Sequence, residues 1–196
     1  MLSLLAPGQG SQTPGMLAPW LELPGARDQL AIWSKLAGLD LERLGTTATA
    51  DEITDTAVTQ PLVVASALLA FNEYAKNHEL PDDAVVAGHS VGEITAAALA
   101  GVLSDEDAMR FVRVRANGMA EAAAASPTGM TAVLGGVEEN VREAIDAAGL
   151  VAANSNGGGQ IVDLDHLHAL DLACRPRDLG PQLRIEQEML TEGFLR

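Results

Sequence analysis

Residues 84–95, AVVAGHSVGEIT, carry a short apolar run that stops at Gly88-His89-Ser90-Val91-Gly92 and passes at once into an alanine-rich segment. Val85 and Val86 supply the β-branched residues of a strand, and Ile94 to Leu103 have the composition of a helix. A G-x-S-x-G pentapeptide on its own also fits an ordinary tight turn; its weight here comes from the strand before it and the helix after it. In that context the flanking glycines let the backbone turn sharply. Ser90 then sits at the tip with Oγ exposed, and the next N–H, that of Val91, aims at a developing oxyanion. The arrangement suits acyl transfer, with Ser90 as nucleophile.

The rest of the chain sets limits on that chemistry. Its 196 residues suffice for one sizeable core, or for one domain and part of another. With 47% hydrophobic and 20% charged residues it is too apolar for a disordered chain. No stretch reads as a membrane span. The start, MLSLLAPGQG, lacks a basic flank and its apolar run breaks at Pro7-Gly8, so it reads as a buried first strand, not a signal peptide. Cys174 is the sole cysteine, which excludes an internal disulfide and points to a reducing, cytoplasmic setting. A net charge of −15 argues against nucleic acid as a partner. An anionic ligand must meet a local basic patch, and the densest is Arg110, Arg113 and Arg115 on one predicted helix; a looser set is Arg175, Arg177 and Arg184.

Taken in order, residues 2–5 read as a strand and 6–15, APGQGSQTPG, as a loop. Gly8-Gln9-Gly10 could offer N–H groups to an oxyanion, but it lacks the pattern and the lysine of a nucleotide-binding loop. From Met16 to Leu44 short helices are punctuated by Pro24-Gly25 and Gly38, with Trp20, Leu23, Leu30, Trp33 and Leu36 as core candidates. Residues 60–77 form a long, nearly all-round apolar helix with Pro61 in its first turn, and His78 follows in an exposed polar connection. Ser104 caps a helix running to about Ala125. After Gly129 the pattern becomes strand 130–134, amphipathic helix 137–148, strand 151–153 and strand 160–162. This is a partial ferredoxin-like order whose last two strands form a hairpin through NSNGGG.

PGQGSQ at 7–12, GHSVGE at 88–93 and NSNGGGQIV at 154–162, with the Gln60-Pro61 pair, together resemble the malonyl-CoA:acyl carrier protein transacylases and, more distantly, the acyltransferase domains of polyketide synthases. The resemblance covers about the first 162 residues. It implies an α/β fold: part of an α/β-hydrolase-like core over 1–128, part of a ferredoxin-like subdomain over 129–162, and a divergent tail over 163–196. It also implies Ser90 as nucleophile, the backbone N–H groups of Gln9 and Val91 as oxyanion hole, and Arg115, 25 residues beyond Ser90, as the clamp for a malonyl carboxylate. Two preorganised donors suit a tetrahedral oxyanion, and an arginine fork suits a carboxylate. Arg110 and Arg113 are left as surface or carrier-docking candidates. The implied partners are malonyl-CoA, as substrate, and acyl carrier protein, with no cofactor and no metal.

The family's general-base histidine follows the subdomain in a G-A-F-H-like context, and these 196 residues contain no such motif. His89, adjoining the nucleophile, is expected to point away from Ser90 Oγ, and His166 and His168 read as surface residues. The expectation is therefore that no histidine nitrogen bonds Ser90 Oγ directly and that transfer is impaired. Three classes of function follow: the transacylase, a serine esterase sharing the elbow, and a catalytically dead module that binds carrier protein.

Overall fold

Strand β1 (Ser3–Ala6) and strand β2 (Val85–Gly88) lie parallel, with Ser3 opposite Val85 and Ala6 opposite Gly88. A parallel pair needs a long crossover, and residues 7–84 provide one built of helices. The structure, a computed structural model, describes residues 1–125, 129–157, 160–165 and 184–188. Two compact units divide the chain, Met1–Glu121 and Ala122–Arg196. The first boundary was expected at 128, so it falls several residues earlier, within a helix. Among the described residues no helix is long and apolar enough to cross a membrane.

In the first unit a 3-10 turn at Trp20–Glu22 precedes helix α1 (Ala26–Ala37), short helix α2 (Leu41–Thr46) and helix α3 (Thr56–Asn77). The punctuation read from the sequence holds: Gly25 and Gly38 flank α1 at φ 81° and 67°, the left-handed region where a Cβ is costly. Leu30 and Trp33 are fully buried, and Trp20, Leu23 and Leu36 pack against them partly exposed. Helix α3 begins at Thr56, four residues before the expected start, because the Asp55 side chain accepts the Ala57 N–H at 2.7 Å and caps it there. Pro61 consequently lies inside the helix instead of in its first turn, where its missing N–H forfeits a bond to the Ala57 carbonyl. Leu62, Val63, Val64, Ala65 and Leu68 are fully buried. Each large apolar side chain of that set contributes about 1.5–3 kcal/mol, more than enough to offset the lost bond.

Helix α4 (Gly92–Leu99) follows β2 directly, and helix α5 (Asp105–Ala125) follows α4. At the start of α5 the Ser104 Oγ accepts the Asp107 N–H at 3.1 Å and donates to Asp107 Oδ2 at 2.8 Å. Asn72 of α3 donates to Asp105 Oδ2 at 2.7 Å, which joins the two helices. The Asp107 carboxyl is held below its usual pKa, first by the Ser104 hydroxyl and then by the Arg110 guanidinium. The Leu5 and Val85 side chains of the two-stranded sheet are 78% and 49% exposed.

In the second unit strand β3 (Gly129–Leu134), helix α6 (Glu138–Ala147), strand β4 (Val151–Gly157), strand β5 (Gln160–Asp165) and strand β6 (Arg184–Glu188) form an antiparallel sheet in the order β4-β5-β3-β6. Because β5 lies antiparallel between β3 and β4, those two are mutually parallel and α6 is their crossover: a split βαβ unit, as the sequence order predicts. Val141 and Ile145 turn inward onto Val133 and Ile161, whereas Val137, expected on the same face, is the exposed N-cap residue. The hairpin strands run longer than expected, to Gly157 and Asp165. Parts of the segment read as a divergent tail join this sheet. Residues 163–165 extend β5, and residues 184–188 pair with β3, since main-chain hydrogen bonds require a free strand edge and no particular side-chain pattern. His166, His168, Cys174, Arg175 and Arg177 lie outside the described residues.

Replacing Ser104 with alanine leaves the first-turn N–H of Asp107 without its acceptor. The expected cost is about 1 kcal/mol, read as a lowered urea midpoint with an unchanged m-value. In the same variant the Asp107 carboxyl should titrate nearer its ordinary value by NMR. A depressed folded pKa means that the contribution of Asp107 is complete above the unfolded pKa and is lost as pH falls through the folded one, so the variant should lose part of that acid dependence.

Candidate active site

Strand β2 and helix α4 meet too closely for side chains between them. A Cβ at Gly88 would stand 2.1 Å from the Gly92 carbonyl oxygen, and one at Gly92 would stand 2.5 Å from the Ala6 oxygen and 2.8 Å from that of Pro7. These contacts explain both glycines of the pentapeptide. They also force the residue between them into an unusual backbone: Ser90 has φ 54° and is the only non-glycine residue with positive φ among those described. Such strain survives only where the surroundings over-determine it, and it lifts Ser90 clear of strand and helix into an exposed position. The turn then closes in short steps. Gly92, Glu93 and Ile94 donate to the carbonyls of His89, Ser90 and Val91 at 2.9–3.1 Å, so the N–H of Val91 precedes the internally bonded series.

The 7–12 loop lies alongside this elbow. A Cβ at Gly8 would come 3.1 Å from the His89 carbonyl oxygen, so glycine permits the approach. The loop is braced by Ser11 Oγ donating to the Gly8 carbonyl and by the Gly10 N–H donating to Gln12 Oε1, both at 2.8 Å. Gln9 Nε2 donates to Thr56 Oγ1 at 3.2 Å, tying the loop to the first residue of α3. Gln9 and Val91, the expected oxyanion donors, thus belong to segments that the glycines bring side by side.

Arg115 reaches Ser90 from α5. Its Nη2 donates to Ser90 Oγ at 2.9 Å, and its Nη1 donates to the Oε1 of Gln60. Gln60 is 1% exposed, and its Nε2 donates to Gln9 Oε1 at 3.2 Å and to the Met119 sulfur at 3.3 Å. The sequence places Gln60 at a helix start and in the family resemblance, with no role in the site. The available signal was a lone amide in an otherwise apolar buried run, because a buried amide must find partners. Ser90, Arg115, Gln60 and Gln9 therefore form one connected set drawn from four elements.

The other arginines of α5 are engaged elsewhere. Arg110 pairs with Glu106 and Asp107 on its own helix, and Arg113 donates to the Leu36 carbonyl at the C-terminus of α1, with its guanidinium packed beside Gly38. These contacts favour a structural role over the carrier docking considered for them. Of the histidines, His78 stacks on Tyr74 with ring centroids 4.4 Å apart and its Nδ1 lies 3.1 Å from the Tyr74 carbonyl, while the His89 ring lies beside Gly8. Among the described residues no group of three or more His, Cys, Asp or Glu side chains could hold a metal ion.

A strained serine elbow beside a glycine loop, reached by an arginine, is the geometry of acyl transfer. Residues 4–165 match the sequence profile of the acyl transferase domain. The chain belongs to that family. It is similar to the malonyl CoA-acyl carrier protein transacylase of Mycobacterium tuberculosis (strain ATCC 25618 / H37Rv), 58% identical over 172 residues that make up 87% of this chain and 57% of that protein. It is likewise similar to the transacylase of that name from Escherichia coli (strain K12), 34% identical over 172 residues, 85% of this chain and 55% of that one. Among solved structures it resembles MCAT from Mycobacterium tuberculosis with a TM-score of 0.88 and 54% identity, over 96% of this chain and 62% of the other. The malonyl-CoA:acyl carrier protein transacylase of Xanthomonas oryzae pv. oryzae matches with a TM-score of 0.83 and 36% identity, over 95% and 61%. The chain spans little more than half the length of the curated relatives.

In this acyl transferase domain the glycines are the most direct test of the elbow. Gly92→Ala drives a methyl group against the Ala6 and Pro7 carbonyls. The strand end or the helix start must then shift, at about 1–3 kcal/mol. Thermal unfolding should show a Tm lower by several degrees, and covalent labelling of Ser90 by a serine-reactive probe should fall with it. A variant as stable and as readily labelled as the parent would contradict the close approach.

Proposed function

We propose that the chain carries the acyltransferase chemistry that moves a malonyl group from malonyl-CoA to the phosphopantetheine thiol of acyl carrier protein, in fatty acid synthesis and in the cytoplasm, with no cofactor. The observation that carries this reading is the Arg115 guanidinium within hydrogen-bond distance of Ser90 Oγ. The names of the relatives support the substrate pair. In the first half-reaction Ser90 Oγ attacks the thioester carbon. The new C–O bond forms as the C–S bond breaks, the oxyanion is held by the Gln9 and Val91 N–H groups, and the serine proton ends on the departing thiol. The second half-reaction reverses the exchange with the carrier thiol.

Arg115 supplies the selectivity. Its planar fork matches a carboxylate at the far end of a three-carbon acyl group, and a neutral acetyl group leaves it unmatched. An esterase of neutral substrates gives no reason to place a guanidinium against the nucleophile.

Incubation with malonyl-CoA should add one malonyl group at Ser90, detected by mass spectrometry of the peptide, and Ser90→Ala should abolish it. In Arg115→Ala the preference for malonyl-CoA over acetyl-CoA should fall by about 2–5 kcal/mol in acylation rate. Unchanged preference in a folded variant would remove Arg115 from the clamp.

A further inference from the structure

The Arg115 contact has a second side, because the guanidinium touches the nucleophile itself. A hydroxyl oxygen has one proton and two lone pairs. One lone pair of Ser90 Oγ accepts from Arg115 Nη2 at 2.9 Å. A hydrogen bond from an ionised donor is among the stronger ones, and it withdraws density from the oxygen it touches. It also fixes the direction in which Oγ points, on a backbone already pinned at φ 54°. The other arm of the guanidinium is fastened to Gln60, which is buried and tied in turn to Gln9 and Met119. Arg115 can therefore pivot on Gln60 while its Nη2 exchanges one acceptor for another.

We propose that Arg115 guards Ser90 as well as recognising the acyl group. Its Nη2 holds Oγ in a hydrogen-bonded, weakened state, and an acyl group that brings its own carboxylate draws the guanidinium off and frees the nucleophile. A carboxylate is the stronger acceptor and can take two donors at once, so it wins the exchange against a neutral hydroxyl. A neutral acyl group has nothing to offer Arg115, and Ser90 stays held. Selectivity then arises twice from one residue, through attraction of the acidic substrate and through inhibition of the neutral one. This inference rests on the reading of Arg115 as the carboxylate clamp and deepens it. A clamp alone leaves reactions with neutral groups unchanged when Arg115 is removed, whereas a guard makes them faster.

The test uses phenylmethylsulfonyl fluoride, a small neutral reagent. Ser90 Oγ bonds to its sulfur, fluoride leaves, and the serine proton passes to water. It needs neither CoA nor carrier protein, so its outcome is independent of the malonyl-ester experiment. Arg115→Met in the full chain should raise the labelling rate at Ser90 about tenfold, the factor that a difference of about 1.4 kcal/mol makes. Ser90→Ala serves to assign the adduct. Gln60→Glu tests the same idea with Arg115 retained: a carboxylate at the pivot should take the guanidinium in a fork and pull Nη2 away from Oγ, so labelling should again rise. Acetyl-CoA should acylate Ser90 faster in Arg115→Met than in the parent, while malonyl-CoA acylates it more slowly. Labelling of both variants at the parental rate or below it, including no labelling of any form, overturns the guard. A fall on removing Arg115 would mean that the guanidinium activates the serine.

Discussion

The close approach of Gly88 to Gly92, and of Gly92 to the carbonyls of Ala6 and Pro7, sets the position of the serine elbow. It brings the end of β2, the end of β1 and the start of α4 together with no side chains between them. Ser90 is left with a backbone that no other non-glycine residue described here adopts. The strain is sustained from both sides. Val91 and Ile94 are anchored in the core with Leu62 and Leu68 of α3, and β2 is anchored by its parallel register with β1. A serine held in this way spends little conformational freedom when it reacts, which is the physical use of a strained elbow.

Gln60 makes a site out of those parts. It is the one buried amide of the long apolar helix, and it satisfies its hydrogen-bonding groups with Arg115 on one side and with Gln9 and Met119 on the other. Arg115 and the loop expected to stabilise an oxyanion are thereby linked through a single side chain. Changes at either end are felt at the other, since residues in one hydrogen-bond network do not behave independently.

The three arginines of α5 show how one helix distributes one kind of charge over three tasks. Arg110 stays on its own helix with Glu106 and Asp107, near the N-terminus where acidic residues are favoured. Arg113 crosses to the C-terminus of α1 and satisfies the Leu36 carbonyl. Arg115 alone turns to Ser90. Arg110 and Arg113, three residues apart, are neighbours on one side of the helix, whereas Arg115, two residues beyond Arg113, projects from another and so meets different neighbours. In a chain with a net charge of −15, Arg115 places a local basic group beside Ser90.

What the sequence determined by itself was local. The valine run, the glycine-flanked serine and the alanine-rich segment specified strand, elbow and helix, because backbone preferences act over a few residues. The β-α-β-β pattern after Gly129 specified the split βαβ unit in the same way, and resemblance in short motifs pointed to Gln9, Val91 and Arg115. Tertiary structure decided the partnerships. Gln60 lies 51 residues from Gln9 and 55 from Arg115, and Ser90 lies 25 from Arg115; no periodicity connects them. The start of α3 was settled by the Asp55 cap over the signal of Pro61, and residues 184–188 joined β3 through main-chain hydrogen bonds to which side-chain pattern is nearly blind. Hydrogen bonds between distant residues exist only after the core has packed and brought them together, which is why the serine elbow could be read from the chain and the network that holds it could not.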